Sequence, residues 1–402
     1  MAGERSSTLF QLAVVGKTNS GKSTFFSAAT LVHVEIASRP FVTIKPNRGL
    51  AYLRASCPCK EFGVKCQPRN SRCENGTRLI PIDLLDVAGL VPGAHLGRGL
   101  GNQFLDDLIK ADALIHVVDA AGATDEQGNP TLPGSRDPVE DVRFFETELD
   151  YWIIGILRRS VKPGARAPQT AAEEATLLHS RLSGLGISEE ALKDVLKSTP
   201  ANLAGEDSEL LGFVRKVRMV SKPISIAANK MDLPTARTNL DRLRQAFPDC
   251  LILPVCAEAE LALRRAQERG LIEYTPGAPD FRIKGQSSEA QTRGLEKIRE
   301  RILLPLGSTG VQETLDRTVY DFLKMIVVYP VASHTHLADT SGVVLPDAFI
   351  VPQGTTAKDL AFKIHTDIGQ RFVGAIDART KRKLGEANVL KNGDVIEILT
   401  SR

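Results

Sequence analysis

The eight residues Gly16-Lys17-Thr18-Asn19-Ser20-Gly21-Lys22-Ser23 constrain this chain more than any other stretch, because they stand between an apolar run, Phe10 to Val15, and Thr24-Phe25-Phe26. A strand that enters a glycine-rich turn and leaves as a helix aims successive backbone N–H groups, and the positive end of the helix dipole, at one anionic site. Such a turn is a phosphate-binding loop. Lys22 is expected to neutralise the β- and γ-phosphates and the Ser23 hydroxyl to hold Mg²⁺, with Gly16, Ser20, Gly21 and Thr24 completing the cradle. The competing reading is a glycine-rich surface turn that happens to carry Lys-Ser, and the strand and helix flanks argue against it.

Asn229-Lys230-Met231-Asp232 addresses which nucleotide such a loop would take. Ile224 to Ala228 reads as a buried strand that delivers this tetrapeptide to the rim where open α/β sheets bind ligands. A carboxylate at Asp232 can accept two hydrogen bonds from the ring N–H and exocyclic amine of guanine, whereas adenine has no matching pair of donors. Hydrogen bonds to charged groups contribute roughly 1.5–3 kcal/mol each, so their loss allows discrimination on the order of a thousandfold. Asn229 is expected to meet the purine and brace the phosphate loop, and the aliphatic stem of Lys230 to cover the ring. Cys256-Ala257-Glu258 follows the last core run. It either places the Ala257 N–H against the guanine carbonyl or is a plain strand-to-helix turn.

Short runs rich in Val, Ile and Leu occur at Phe10 to Val15, Gly49 to Leu53, Leu79 to Asp86, Ala113 to Asp119, Ile224 to Asn229 and Leu251 to Val255. Separated by helical patterns and turns, they predict an α/β fold with a mostly parallel, doubly wound sheet. About a hundred residues of helical rhythm interrupt the series. Asp137-Pro138-Val139-Glu140 supplies a cap, a proline at the first helical position and an acidic partner. Val142, Phe145, Leu149, Trp152, Ile153 and Ile156 then recur at helical spacing as a core face, and Thr170 with Glu173 and Ser188-Glu189-Glu190 announce further helices. From Met325 the texture changes to strand, strand, helix, strand, strand, with a cap at Thr356 and Asp359, a stop at Gly369 and a turn at Asn392-Gly393. That order suits a small ubiquitin-like α+β roll. The expected divisions are 1–135 and 222–322 for the nucleotide-binding domain, 136–221 for a helical insertion and 323–402 for the terminal domain.

With 402 residues, 42% of them apolar, packed cores are affordable, and the net charge of +3 is too small to argue for nucleic acid by itself. No apolar stretch is long enough to span a bilayer and Met1 to Thr8 is polar, so a cytoplasmic chain without a membrane partner is expected. DNA binding is not expected, and a monomer is. Cys57, Cys59, Cys66 and Cys73 fall within seventeen residues, at the tip of an expected hairpin. Soft ligands on such a loop suit a tetrahedral Zn²⁺ site, yet no Cys-x-x-Cys pair is present. Zinc, reduced thiols and a redox switch all remain open.

Asp86-Val87-Ala88-Gly89 ends the third run, with the Asp86 carboxylate expected to reach Mg²⁺ through water and the Gly89 N–H to lie near the γ-phosphate. Thr43, in Phe41-Val42-Thr43-Ile44, is placed either to lend a hydroxyl to Mg²⁺ when the γ-phosphate is present or simply to pack its loop. Together with the phosphate loop, the base tetrapeptide and the Cys256 turn, these segments make the chain resemble the Obg-family GTPases, most closely their archaeal YchF-like branch. The longest stretch of similarity is Asp86-Val87-Ala88-Gly89-Leu90-Val91-Pro92-Gly93-Ala94-His95-Leu96-Gly97-Arg98-Gly99-Leu100-Gly101-Asn102. The resemblance covers essentially the whole chain, with a terminal region similar to TGS domains, and implies a tie to the ribosome or translation. The chain departs from the family pattern at Leu96, where an acidic residue is usual, at Arg39, where Tyr precedes Pro40, and at Cys256, where Ser is usual. Bacterial and eukaryotic YchF relatives carry Glu in place of Asp232 and favour ATP, so the resemblance leaves an ATP-hydrolysing protein as the alternative.

Leu90 occupies the position at which many GTPases carry a water-orienting glutamine, so slow GTP hydrolysis is expected. Asn19 matches relatives in which asparagine helps hold K⁺ beside the phosphates, a cation that would do electrostatically what an arginine finger does elsewhere. His95 is a second candidate for orienting water, against a structural role in its loop. Arg379, Lys381, Arg382 and Lys383, helped by Lys358, Lys363, Arg371 and Lys391, form the densest basic region, either an RNA-phosphate grip or a solvated loop. A regulatory GTPase is thus expected, against a metabolic kinase, for which no acceptor pocket is legible, and against a weakly hydrolysing nucleotide-gated scaffold.

Overall fold

The computed structural model describes residues 9–31, 47–87, 93, 108, 110–159, 170–203 and 205–401. Thr43, Gly89, Leu90, His95, Leu96 and Arg39 lie outside the described residues. The chain divides into two compact units, one of residues 11–49 and 83–314, the other of residues 1–10, 50–82 and 315–402.

In the first unit, β1 (Gln11–Val15), the end of β4 (Thr77–Asp86), β5 (Ala113–Asp119), β6 (Ile224–Asn229) and β7 (Ile252–Pro254) run parallel in the order β4-β1-β5-β6-β7. Their near-continuous apolar sequences follow from burial on both faces: every residue of β1, β5 and β6 is buried. The loop after β1 opens into α1 (Lys22–Thr30), and β7 leads into α7 (Ala257–Glu268), whose Arg264 donates to the Ala28 carbonyl of α1 at 3.1 Å.

Among the described residues, four α-helices stand between β5 and β6: α2 (Pro138–Arg159), α3 (Ala171–Leu182), α4 (Glu189–Ser198) and α5 (Asp207–Ser221). The predicted caps form. Asp137 accepts from the Val139 N–H at 3.0 Å, Thr170 from the Glu173 N–H at 3.2 Å and Ser188 from the Ala191 N–H at 3.1 Å. Phe145, Leu149, Trp152, Ile153 and Leu157 of α2 join Leu210, Phe213 and Val217 of α5 in one core with Ala13, Val15, Leu85 and Leu114 of the sheet. The helical segment therefore shares the sheet's core instead of closing a separate one. The remaining helix that matters for the site, α6 (Ala236–Ala246), covers the β6 side, and a separate small ribbon pairs β8 (Ile272–Glu273) antiparallel with β9 (Arg282–Ile283).

The second unit contains a five-stranded sheet in the order β11-β10-β14-β12-β13, formed by β10 (Met325–Val331), β11 (Phe349–Pro352), β12 (Phe372–Asp377), β13 (Lys383–Leu384) and β14 (Val395–Thr400). β10 and β14 are parallel and the other pairs antiparallel, packing Val328, Val351, Leu360, Ala375 and Ile396 around α8 (Ala357–Ile364). The Thr356–Asp359 capping box forms, and Gly393 turns with φ +84°. The helix does not run on to Gly369, however. His365 is extended and its ring nitrogen caps a new short turn, Thr366–Gln370, by accepting from the Asp367 N–H at 3.1 Å.

The same unit holds the hairpin, where β2 (Asn47–Ser56) lies beside β4 and the short β3 (Arg72–Glu74) pairs antiparallel with β4. By sequence order the hairpin belongs with the nucleotide-binding domain. It nevertheless shares a unit with the terminal domain because polar backbone groups interlock: Gln67 N–H donates to Val344 O and Arg69 N–H to Pro346 O, both at 2.8 Å, and Asn70 exchanges two hydrogen bonds with Ala348 at 2.9 and 3.0 Å.

Candidate functional site

Gly16 and Gly21 are required by geometry. Gly16 has φ +143°, and a Cβ there would stand 2.4 Å from the Val117 carbonyl; Gly21 has φ +97°, and a Cβ would stand 2.1 Å from the Asn229 amide nitrogen. The close approach at Gly21 lets Asn229 donate to the Ser20 carbonyl at 2.9 Å. That bond braces the phosphate loop against the end of β6.

The loop is held from a second side by contacts that the sequence reading did not foresee. Lys17 makes an ion pair with Asp141 at 2.6 Å and donates to the Thr124 and Asp125 carbonyls at 2.9 and 3.2 Å, while Asn19, at φ +60°, donates to the Gly128 carbonyl at 2.9 Å. Burial pulls the Lys17 ammonium below its ordinary value, and Asp141 opposes that shift. Beneath the loop, burial pushes His116 down to about 3, so its ring is neutral at physiological pH.

Lys22 is buried and donates to the Lys17 carbonyl at 3.0 Å. Its pKa is lowered by desolvation, with Asp86 acting in the opposite direction. Ser23 donates to Asp86 Oδ2 at 2.9 Å, whereas Asp86 Oδ1 is buried with no hydrogen-bond partner among the described residues. Desolvation raises the Asp86 pKa against the pull of Lys22, Ser23 and Asn47. A buried carboxylate oxygen of this kind beside a hydroxyl is an oxygen donor pair for a hard divalent cation, and it fits Mg²⁺, which GTPases generally use.

A cavity of about 200 Å³ is lined by Gly21, Thr24, Asn229, Lys230, Asp232, Leu233, Cys256 and Glu258. The base tetrapeptide, the start of α1 and the Cys256 turn, distant in sequence, thus share one wall. Asn229 Oδ1 accepts from the Ala257 N–H at 3.0 Å, so the amide expected to face a guanine carbonyl is here engaged by the neighbouring asparagine. Cys256 donates its thiol to Asp232 at 3.4 Å, and burial with the adjacent Asp232 charge pushes that thiol up to about 12. Cysteine in this position thus serves Asp232 as a neutral donor, the role open to a serine hydroxyl.

Asp119 was missed. Fully buried at the end of β5, it accepts from the Ala121 and Ala123 N–H groups, from the Thr124 hydroxyl at 2.9 Å and from Lys230 at 2.9 Å. It holds Lys230, which sits at φ +66°, beside the pocket. The available signal was an aspartate closing an entirely apolar strand, whose register partner is Asn229.

Parallel sheet, phosphate loop and base pocket define a P-loop GTP-binding protein. The profile described as "50S ribosome-binding GTPase" matches residues 11–140, that for the "Obg-like GTPase YGR210-like, G4 motif-containing domain" residues 227–333, and that for the TGS domain residues 341–400. The chain is 47% identical to an uncharacterized GTP-binding protein of Methanocaldococcus jannaschii over 97% of this chain and 99% of that one. It is similar to the crystal structure of a GTP-binding protein from Pyrococcus horikoshii, with a TM-score of 0.76 and 38% identity over 98% of this chain and 100% of that one. A more distant relative, the ribosome-binding ATPase YchF of Haemophilus influenzae, is 26% identical over 96% of this chain and 98% of that protein. The chain belongs to the YchF/Obg-like family of GTP-binding proteins, and its terminal domain is a TGS domain.

Proposed function

We propose that this protein is a slow GTPase that switches a ribosome-associated state. The observation that carries the reading is the cavity joining Asp232, Lys230 and Asn229 to the start of α1, with Lys22 and Ser23 in the first turn of that helix and Asp86, at the end of β4, hydrogen-bonded to Ser23. In this reading Asp232 takes the guanine donors, Lys22 the β- and γ-phosphates, and Gly16, Asn19, Ser20, Gly21 and Thr24 the phosphate oxygens. Glu258 lines the rim, and Ala257 turns from Asn229 to the guanine carbonyl. Ser23 and Asp86 would hold Mg²⁺, with Thr43 assigned as a further ligand and the Gly89 N–H assigned to the γ-phosphate. Mg²⁺, when bound, spreads the charge of the terminal phosphates. The chain's own part is positional: Lys17, Asn19 and Asn229 fix the loop from two sides, so that its N–H groups need no reorganisation when charge develops.

The ribosome link rests on the names of the matching profile and of the distant relative. The basic surface of the TGS domain supports it only in part. Arg379 is committed to Glu61 at 2.7 and 2.8 Å and Lys358 to Glu386 at 2.9 Å, leaving Lys381, Arg382 and Lys383 as the charges to test. Replacing these three with alanine should lower ribosome co-sedimentation several-fold at about 0.1 M salt and flatten its salt dependence, with GTP affinity unchanged. Deleting residues 325–402 is a poorer test, because it strips Leu345 and Tyr329 from the buried Arg78 of the hairpin.

Single-turnover hydrolysis with and without ribosomes tests the reading directly. A rate on the order of 10⁻³ per second alone, rising at least about tenfold with ribosomes, is expected. The Asn19 amide nitrogen is engaged with Gly128, and its oxygen is the end suited to a cation. Hydrolysis should therefore be faster in K⁺ than in Na⁺ at matched ionic strength, and Asn19→Ala should remove the difference. Equal rates in both salts in the unmodified protein would exclude the K⁺ role, and no effect of ribosomes would exclude the coupling.

A further inference from the structure

The hairpin tip brings together what the sequence left as an unpaired set of thiols. The sulfurs of Cys57, Cys59, Cys66 and Cys73 all lie within 4.8 Å of one another, with Cys57 to Cys66 at 3.9 Å and Cys59 to Cys73 at 3.8 Å. Four sulfurs about 2.3 Å from a common centre, the Zn–S bond length, stand about 3.8 Å apart in a tetrahedron. A disulfide would bring a pair to about 2.05 Å, and all six cysteines are free. Cys57 and Cys59 are buried and the other two half-buried, so the cluster is closed on one side and reachable on the other.

Arg78 supplies a second, independent observation. It is fully buried, yet no carboxylate pairs with it among the described residues: its guanidinium donates to Leu345 O at 2.8 Å and Ser71 Oγ at 3.2 Å, lies 5.4 Å from the Tyr329 ring centre, and its Nε has no partner. A buried cation without an anion is costly. Across the β3–β4 ladder Arg78 is the register partner of Cys73, and Tyr329 donates to the carbonyl of Ser56, next to Cys57. Four thiolates around a divalent ion carry a net charge of −2, which is the counter-charge this arginine otherwise lacks.

We propose that Cys57, Cys59, Cys66 and Cys73 bind one Zn²⁺ ion in an all-cysteine site that fixes the hairpin tip as the plate on which the TGS domain is mounted. Binding converts the thiols to thiolates and releases their protons to solvent. The ligand loop itself carries the mounting contacts: Glu61 chelates Arg379, whose guanidinium lies 5.7 Å from the Phe62 ring centre, and Gln67, Arg69 and Asn70 bond the 344–348 segment. A loop of this length without regular structure has no apolar core to hold it. Four metal bonds replace one.

Full-length protein purified without chelator from zinc-supplemented cells should contain about one zinc and almost no iron per chain by elemental mass spectrometry. An organomercurial added to the native protein should release that zinc as the thiols react. Cys66→Ser and Cys73→Ser should each reduce zinc to below about a tenth per chain and raise hydrogen exchange at 60–70 and 344–348, while GTP affinity, housed in the other unit, is unchanged. Should these variants fail to fold, the organomercurial titration of the unmodified chain still decides. Thiols reacting without zinc release, stoichiometric iron, or Cys57–Cys66 and Cys59–Cys73 disulfides in non-reducing peptide maps would each overturn the proposal.

Discussion

Replacing Asp232 with asparagine is expected to weaken GTP binding by about a hundredfold or more and, in the same protein, to strengthen binding of xanthosine triphosphate. The carboxylate accepts from two guanine donors, and an amide can accept only one while turning an N–H toward the other. Xanthine carries a carbonyl where guanine has its amine, so the same amide N–H becomes productive. Asp232 is exposed at the cavity rim and accepts from the Cys256 thiol, a bond that an asparagine oxygen can keep. The variant should therefore fold, and parallel calorimetric titrations with the two triphosphates are the check. Loss of both ligands together would indicate collapse of the pocket and not a change of base recognition.

Gly21→Ala should remove nucleotide binding almost completely. A side chain at φ +97° costs about 1–2 kcal/mol by itself, and its Cβ would stand 2.1 Å from the Asn229 amide, which must then leave the Ser20 carbonyl. Because Asn229 joins the phosphate loop, the base tetrapeptide and the Ala257 turn, one methyl group disturbs all three. An affinity loss of at least about a hundredfold is expected, with a drop in melting temperature of a few degrees. Calorimetry and thermal melts measure both, and near-normal affinity would show that the asparagine bridge is not what organises the site.

Much of this was legible because the relevant signals are local. The strands Ala113–Asp119 and Ile224–Asn229 were bounded correctly by continuous apolar runs ended by a polar residue, and the caps at Asp137, Thr170, Ser188 and Thr356 by short-range hydrogen-bonding rules. The phosphate loop and base tetrapeptide carry their chemistry in sequence order. What stayed hidden depends on side chains meeting across the fold. Asp119 is one aspartate among many until Lys230 and three other donors converge on it. Lys17 and Asn19 sit inside the motif, but their partners lie more than a hundred residues away, Asp141 in the first turn of α2 and Gly128 in the loop after β5. The place of the hairpin was unreadable for the same reason: its link to 344–348 is made by backbone groups and the side chains of Gln67, Asn70 and Arg78, which leave no periodicity. Arg379 shows the reverse error, a charge counted as free from its basic neighbours that the structure commits to Glu61.

The central claim, that the cavity at Asp232 and the phosphate loop select guanine nucleotides, is tested most directly by competition. Displacement of a fluorescent GDP analogue from the unmodified, full-length protein in Mg²⁺ would be measured with GTP, GDP, ATP and ADP. Guanine nucleotides should compete at least about a hundredfold better than adenine nucleotides. Equal competition by ATP and GTP would contradict the account.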